Sequence, residues 1–173
     1  AFQASGLSGT ITIPASVTSI REMAFSNLSS LTGIFHESGS QLQTIGNEAF
    51  RASGISGTIT IPSTITTIGH GTFRECPSLT RVVFDNGTQL SIIHNEAFRA
   101  SGISGTITIP ASVTTIGDNA FMECTSLTGV VFDSGIQLQT IGNNTFRASG
   151  LSGTITIPAT VTRIGNGAYW DCS

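Results

Sequence analysis

Phenylalanine recurs at Phe2, Phe50, Phe98 and Phe146, always at one constant interval. A second series, Phe25, Phe73, Phe121 and Tyr169, keeps the same interval and divides each unit into a shorter half, such as 50–72, and a longer half, such as 73–97. A fixed period along a whole chain is the signature of stacked repeats. No half of this length buries its own apolar face, so neighbouring coils must share one core. The chain therefore reads as one solenoid over residues 1–173, of about seven coils, with a piece of a longer array as the expectation because Ala1-Phe2 stands in mid-repeat.

The shorter half runs from Phe50 through Ser53-Gly54-Ile55-Ser56-Gly57 into Thr58-Ile59-Thr60-Ile61-Pro62 and on to Ile68-Gly69. The longer half runs from Phe73 through Cys76-Pro77-Ser78-Leu79 into Val82-Val83-Phe84 and on to Ile93. Its two extra residues fall in Asp85-Asn86-Gly87-Thr88, whose Asn-Gly is a strong turn signal. Alternation of period two marks Thr58 to Ile61 as a strand with Ile59 and Ile61 inward. The equivalents are Ile11/Ile13, Ile107/Ile109 and Ile155/Ile157 in the short halves, and Val82/Phe84 and Val130/Phe132 in the long ones. Proline follows at Pro14, Pro62, Pro110 and Pro158 and ends the strand, because it has no N–H for a ladder. A second extended stretch, Val17 to Ile20 or Leu42 to Ile45, gives each coil another side. The Glu-Ala-Phe or Asn-Ala-Phe corner is expected to close the coil in a single helical turn. Seven coils at about 4.8 Å each make a rod or shallow arc roughly 35 Å long, mainly β with very little helix.

The pattern Ile-Thr-Ile-Pro-x-x-Val-Thr-x-Ile-Gly-x-x-Ala-Phe-x-x-Cys-x-x-Leu, clearest over Ile107 to Leu127 and again over Ile155 to Cys172, resembles the BspA-like class of leucine-rich repeat. The resemblance covers essentially the whole chain. It implies a right-handed solenoid with a parallel sheet on its concave side and short strands on its convex side. It also implies a location at a microbial cell surface, and work in adhesion or protein binding. The chain departs from the family in the Ser-Gly-Leu/Ile-Ser-Gly of the short halves, which leads into the strand one residue out of step. Its strict two-coil period is also tighter than the family's.

Composition excludes several classes of function. The net charge is −3, lysine is absent, and no basic patch offers a footprint for nucleic acid. No apolar run approaches the roughly 18 residues of a membrane span, so membrane insertion is not expected. Cys76, Cys124 and Cys172 recur one long period apart, nearly 10 Å in a stack, beyond the roughly 7 Å between α-carbons that a disulfide tolerates. They read as buried free thiols, with Leu28 in the same slot, and zinc binding fails on the same spacing. His70 and His94 stand in adjacent corners without a ligand set around them. His36 replaces the inward phenylalanine of Phe84 and Phe132, while Phe35 takes the outward slot. The acidic residues Glu22, Glu48, Glu75, Glu96, Asp118 and Glu123 recur at repeat positions, as a fold requirement would place them. The sequence points to no catalytic residue, no cofactor and no metal. The sequons at Asn27, Asn86 and Asn143 match the acceptor triplet for N-glycosylation, with Asn86 in a turn.

The concave strands present Thr10/Thr12, Thr58/Thr60, Thr106/Thr108 and Thr154/Thr156 on alternate coils, with Phe35, Arg81/Val83 and Val131 between them. Threonine suits an exposed strand in any such repeat. Solenoids also dock partners on this side, and Phe35 and Arg81 break the pattern. The expected function is a non-enzymatic extracellular or cell-surface module that binds a protein or surface glycan. One alternative is a scaffold that self-associates through uncapped ends. Another is ice binding through the Thr-x-Thr ladder.

Overall fold

A computed structural model describes residues 6–172. Phe2, the first member of the aromatic series, lies outside them. Longer and two-residue strands alternate along the chain as β1 (Gly9–Ile13), β2 (Ser19–Ile20), β3 (Leu31–His36), β4 (Thr44–Ile45), β5 (Gly57–Ile61), β6 (Thr67–Ile68) and β7 (Leu79–Phe84). They continue as β8 (Ile92–Ile93), β9 (Gly105–Ile109), β10 (Thr115–Ile116), β11 (Leu127–Phe132), β12 (Thr140–Ile141) and β13 (Arg163–Ile164). All pairings are parallel, so the chain is a parallel β-solenoid of about seven turns, and no helix occurs among the described residues.

The core is a set of columns that run along the stack. Phe25, Phe50, Phe73, Phe98, Phe121, Phe146 and Tyr169 stack face to face with ring centroids 5.2–5.4 Å apart. Beside them lie columns of buried leucine and isoleucine, among them Leu31, Leu79 and Leu127 and Ile45, Ile68, Ile93, Ile116 and Ile141. In-register stacking of this kind removes apolar area from water coil by coil.

The corners depart from the single helical turn expected of them. Residues two before and two after the corner aromatic adopt positive φ in coil after coil, as at Glu48 (52°) and Ala52 (51°), or Glu96 (58°) and Ala100 (53°). A helix would point these N–H groups along its own axis. The alternating backbone points them at the next coil instead: Glu48 donates to His70 O (2.7 Å), Phe50 to Thr72 O (2.9 Å) and Ala52 to Arg74 O (2.9 Å). The corner is therefore a hydrogen-bonded wall in its own right.

The two strand faces differ in continuity. The two-residue strands form one sheet of seven, in the order β13-β12-β10-β8-β6-β4-β2. They are shorter than the stretches from Val17 and Leu42 suggested. The long strands, expected as one continuous sheet, form three separate pairs instead: β1-β3, β5-β7 and β9-β11. In each pair a short-half strand joins the long-half strand that follows it. Asp85 N donates to Ile61 O (3.1 Å), so Ile59 and Ile61 turn their backbone groups toward β7. Parallel alternation then turns Thr58, Thr60 and Pro62 toward β3. Proline has no proton to donate, and the ladder to the preceding coil fails on that side. Ile155 and Ile157, expected in a strand, lie in none.

The glycines of the short halves follow from the same packing. Gly54, Gly102 and Gly150 press on the backbone of the coil before, and a methyl group on Gly102 would overlap the carbonyl oxygen of Pro77. One step on, Gly57 (φ 69°) opposes Leu79 while Thr58 opposes Arg81, so the register skips one residue. That bulge is the one-residue displacement read from Ser-Gly-Ile-Ser-Gly.

Candidate functional site

The long-strand face collects the residues that interrupt the repeat. Thr10, Thr12, Thr58, Thr60, Thr106, Thr108, Thr154 and Thr156 are all exposed, as are Arg81 and the apolar series Phe35, Val83 and Val131. Within each pair the register sets Thr12 beside Phe35, Thr60 beside Val83 and Thr108 beside Val131. Phe35 (57%), Val83 (41%) and Val131 (51%) are large hydrophobic residues left to solvent in a single column, one per double repeat.

Between the pairs the face opens into two grooves that sequence reasoning missed. The first, of about 410 Å³, lies between β3 and β5 and is lined by Phe35, His36, Glu37, Thr58, Thr60 and Asp85, among others. The second, of about 780 Å³, lies between β7 and β9 and includes Arg81, Phe84, Asp85, Thr106, Thr108 and Asp133. Each closes at one end, where Ser56 N donates to Thr32 O and Ser104 N to Thr80 O (3.0 Å each), and opens toward Pro62 or Pro110.

His36 and Phe35 sit as their inverted order implies: Phe35 outward, His36 half-buried with its Nδ1 out of solvent and without a hydrogen-bond partner. Burial pushes the His36 imidazole below the usual histidine range, against the opposing pull of Asp85. Cys76 and Cys124 are free and buried. Each Sγ donates to the carbonyl of the preceding corner phenylalanine at 3.1 Å and meets a serine, Ser53 or Ser101, at 3.4 Å. Burial raises both thiol pKa values, that of Cys124 to about 11.

The acidic corner residues form a zigzag with arginine across successive coils. Arg51 bridges Glu48 and Glu75, Arg74 bridges Glu75 and Glu96, and Arg99 bridges Glu96 and Glu123. A neighbouring column of amides ties coil to coil: Asn47 Oδ1 accepts from His70 N, Asn95 Oδ1 from Asp118 N, and Asn143 Oδ1 from Asn166 N. Asn143 also donates its Nδ2 to Asp118 Oδ2 at 3.1 Å, which commits the amide of that sequon to the fold. Asn27 donates its amide to Ser26 Oγ at 2.9 Å, and Asn86 is exposed in its turn. No group of three or more histidine, cysteine or acidic residues able to hold a metal occurs among the described residues. No helix among them is long and apolar enough to cross a membrane.

Three hydrogen-bonded walls around a shared apolar core, one of them divided into strand pairs, define a repeat protein of the leucine-rich solenoid class. The BspA type leucine rich repeat region matches in 6 copies, over residues 1–104 and 43–173, and the chain belongs to that family. Among solved structures, the chain is similar to the pneumococcal vaccine antigen PcpA (23% identity, TM-score 0.76, 94% of this chain and 48% of that one). It is also similar to a leucine rich cell surface protein of Faecalibacterium prausnitzii A2-165 (25% identity, TM-score 0.59, 94% and 58%). The chain thus spans about half the length of these proteins. The curated proteins hold no match to it.

Proposed function

We propose that this chain is a non-enzymatic binding module displayed at a cell surface, and that its long-strand face docks a protein partner. The observation that carries this reading is the column of Phe35, Val83 and Val131, exposed on an otherwise threonine-rich and nearly uncharged strip. Isolated exposed apolar residues need no explanation; a row of them on one face supports a docking surface. The surface location rests on the family and on the cell-surface protein that the chain resembles at 25% identity.

Photo-crosslinking tests the docking face. A benzophenone amino acid at position 83 should capture a defined partner from the surface fraction of the source cells, and the same probe at Thr66, outside that column, should not. Phe35→Ala together with Arg81→Glu should abolish capture while the circular dichroism spectrum is unchanged. Equal capture at both positions, or capture that survives the double substitution, would place the interface elsewhere.

A further inference from the structure

The two grooves are repeats of one another, yet their chemistry differs. Both have lips of unpaired backbone. Glu37 N donates to Ile13 O and Thr32 O accepts from Ser56 N, so Ile34 and His36 on β3 turn their remaining N–H and C=O groups across the gap. Thr58 and Thr60 on β5 turn theirs back toward them. Unpaired strand edges of this kind are met by the main chain of an extended segment.

The side chains set the charge. Glu37 and Asp85 both line the first groove, Glu37 with one carboxylate oxygen accepting from Ala15 N at 2.9 Å and the other left over, and no arginine lines it. Its exposed aromatic face is Phe35, more than half open to solvent, beside the half-buried imidazole of His36. In the second groove, Val83 stands at the position of Phe35, and Arg81 adds a positive charge to a lining that also holds Asp85 and Asp133. A cation beside an exposed aromatic ring and two carboxylates gains on both counts, whereas an anion meets only repulsion.

We infer that the first groove is the specificity site of the docking face, and that it takes an extended peptide segment of the partner bearing a lysine or arginine. The basic side chain lies over Phe35 in the groove that Glu37 and Asp85 line, and the peptide backbone pairs with the open lips. The inference rests on the protein-docking reading above and adds the chemistry of what is docked. The second groove, already supplied with its own cation in Arg81, is the internal control.

Fluorescein-labelled heptapeptides of alternating threonine and valine, with a central arginine, lysine, glutamine or glutamate, provide the probe. The arginine and lysine peptides should bind the intact chain about tenfold more tightly than the glutamine peptide, with the glutamate peptide weakest. Phe35→Ala, Asp85→Asn and Glu37→Gln should each remove most of that preference, and Arg81→Gln should leave it in place. All three weakened positions are exposed, and unchanged melting curves will show that the variants fold. If all four peptides bind alike and Phe35→Ala weakens them equally, the basic specificity is wrong and the docking face stands. If no peptide binds, or if binding ignores Phe35 and both carboxylates, the groove is not the site. A neutral oligosaccharide that binds with the same Phe35 dependence, where the peptides do not, overturns the inference in favour of a glycan.

Discussion

At the scale of single residues, the columns make each exception measurable against its neighbours. His36 holds the slot that Phe84 and Phe132 fill one and two periods later, and its Nδ1 is buried without a partner. An unmet buried nitrogen costs on the order of 1–3 kcal/mol, and the site is only half enclosed. His36→Phe should therefore stabilise the chain by about 1 kcal/mol. It should also flatten an acid limb: a histidine held below its usual range contributes stability that is lost as pH falls from about 6.5. Urea melts at pH 5 and pH 8 check both effects, and an unchanged or lowered midpoint at pH 8 would contradict them. The buried thiols act at the other end of the scale. Cys124 keeps its proton to about pH 11 when folded, whereas the unfolded chain releases it near pH 9.0, so stability falls through that window as pH rises. The loss should approach about 2 kcal/mol by pH 11. Cys124→Ala should remove much of this slope, and Cys76 contributes in the same direction. Native-state alkylation should modify the half-buried Cys172 well before either.

At the scale of elements, what could be read ahead was whatever alternates or recurs. The period-two pattern of Thr58 to Ile61 located β5 and its inward side, and the aromatic series located the core column. The corner departs from a helical turn because the inter-coil hydrogen bonds override the local helix propensity of Glu-Ala. The divided long-strand face was hidden for a different reason. Pro62 plainly ends a strand, but which neighbour loses a donor depends on the direction of its backbone, and that parity is set by tertiary pairing. Phe35 and Arg81 were legible as breaks in a repeat. The grooves they line were not, because a gap is a property of two coils together. The pairing makes a prediction of its own for backbone amides. Ile107 and Ile109 turn toward β11, while Thr106 and Thr108 face the second groove. Hydrogen exchange should therefore alternate along β9, slow at the isoleucines and faster at the threonines, by a hundredfold or more on the scale of local against global opening. Uniform protection across β9 would mean that the long strands form one continuous ladder in solution.

At the scale of the whole molecule, the question is which unit is added when the array grows. The walls formed by corners and two-residue strands treat every coil alike, since they bond each one to the next. The third wall does not: it joins coils two by two. If the pair is the unit, removing residues 51–98, one whole double repeat, should leave a folded solenoid, because Phe50 is then followed by the same Arg-Ala-Ser-Gly as before. Stability and the urea m-value should drop in proportion to the lost length, as nearest-neighbour additivity requires. Removing only residues 51–73, a single short half, takes away less core but sets two long halves side by side. Their insertions, Glu37-Ser38-Gly39 and Asp85-Asn86-Gly87, then compete for one place, and β3 and β7 both lose the alternation that separates them. The shorter deletion should be the more damaging of the two, with a melting midpoint below that of the longer one or no cooperative transition at all. Equal midpoints would show that single coils are interchangeable and that the long-strand pairs are a consequence of the stack rather than its building unit.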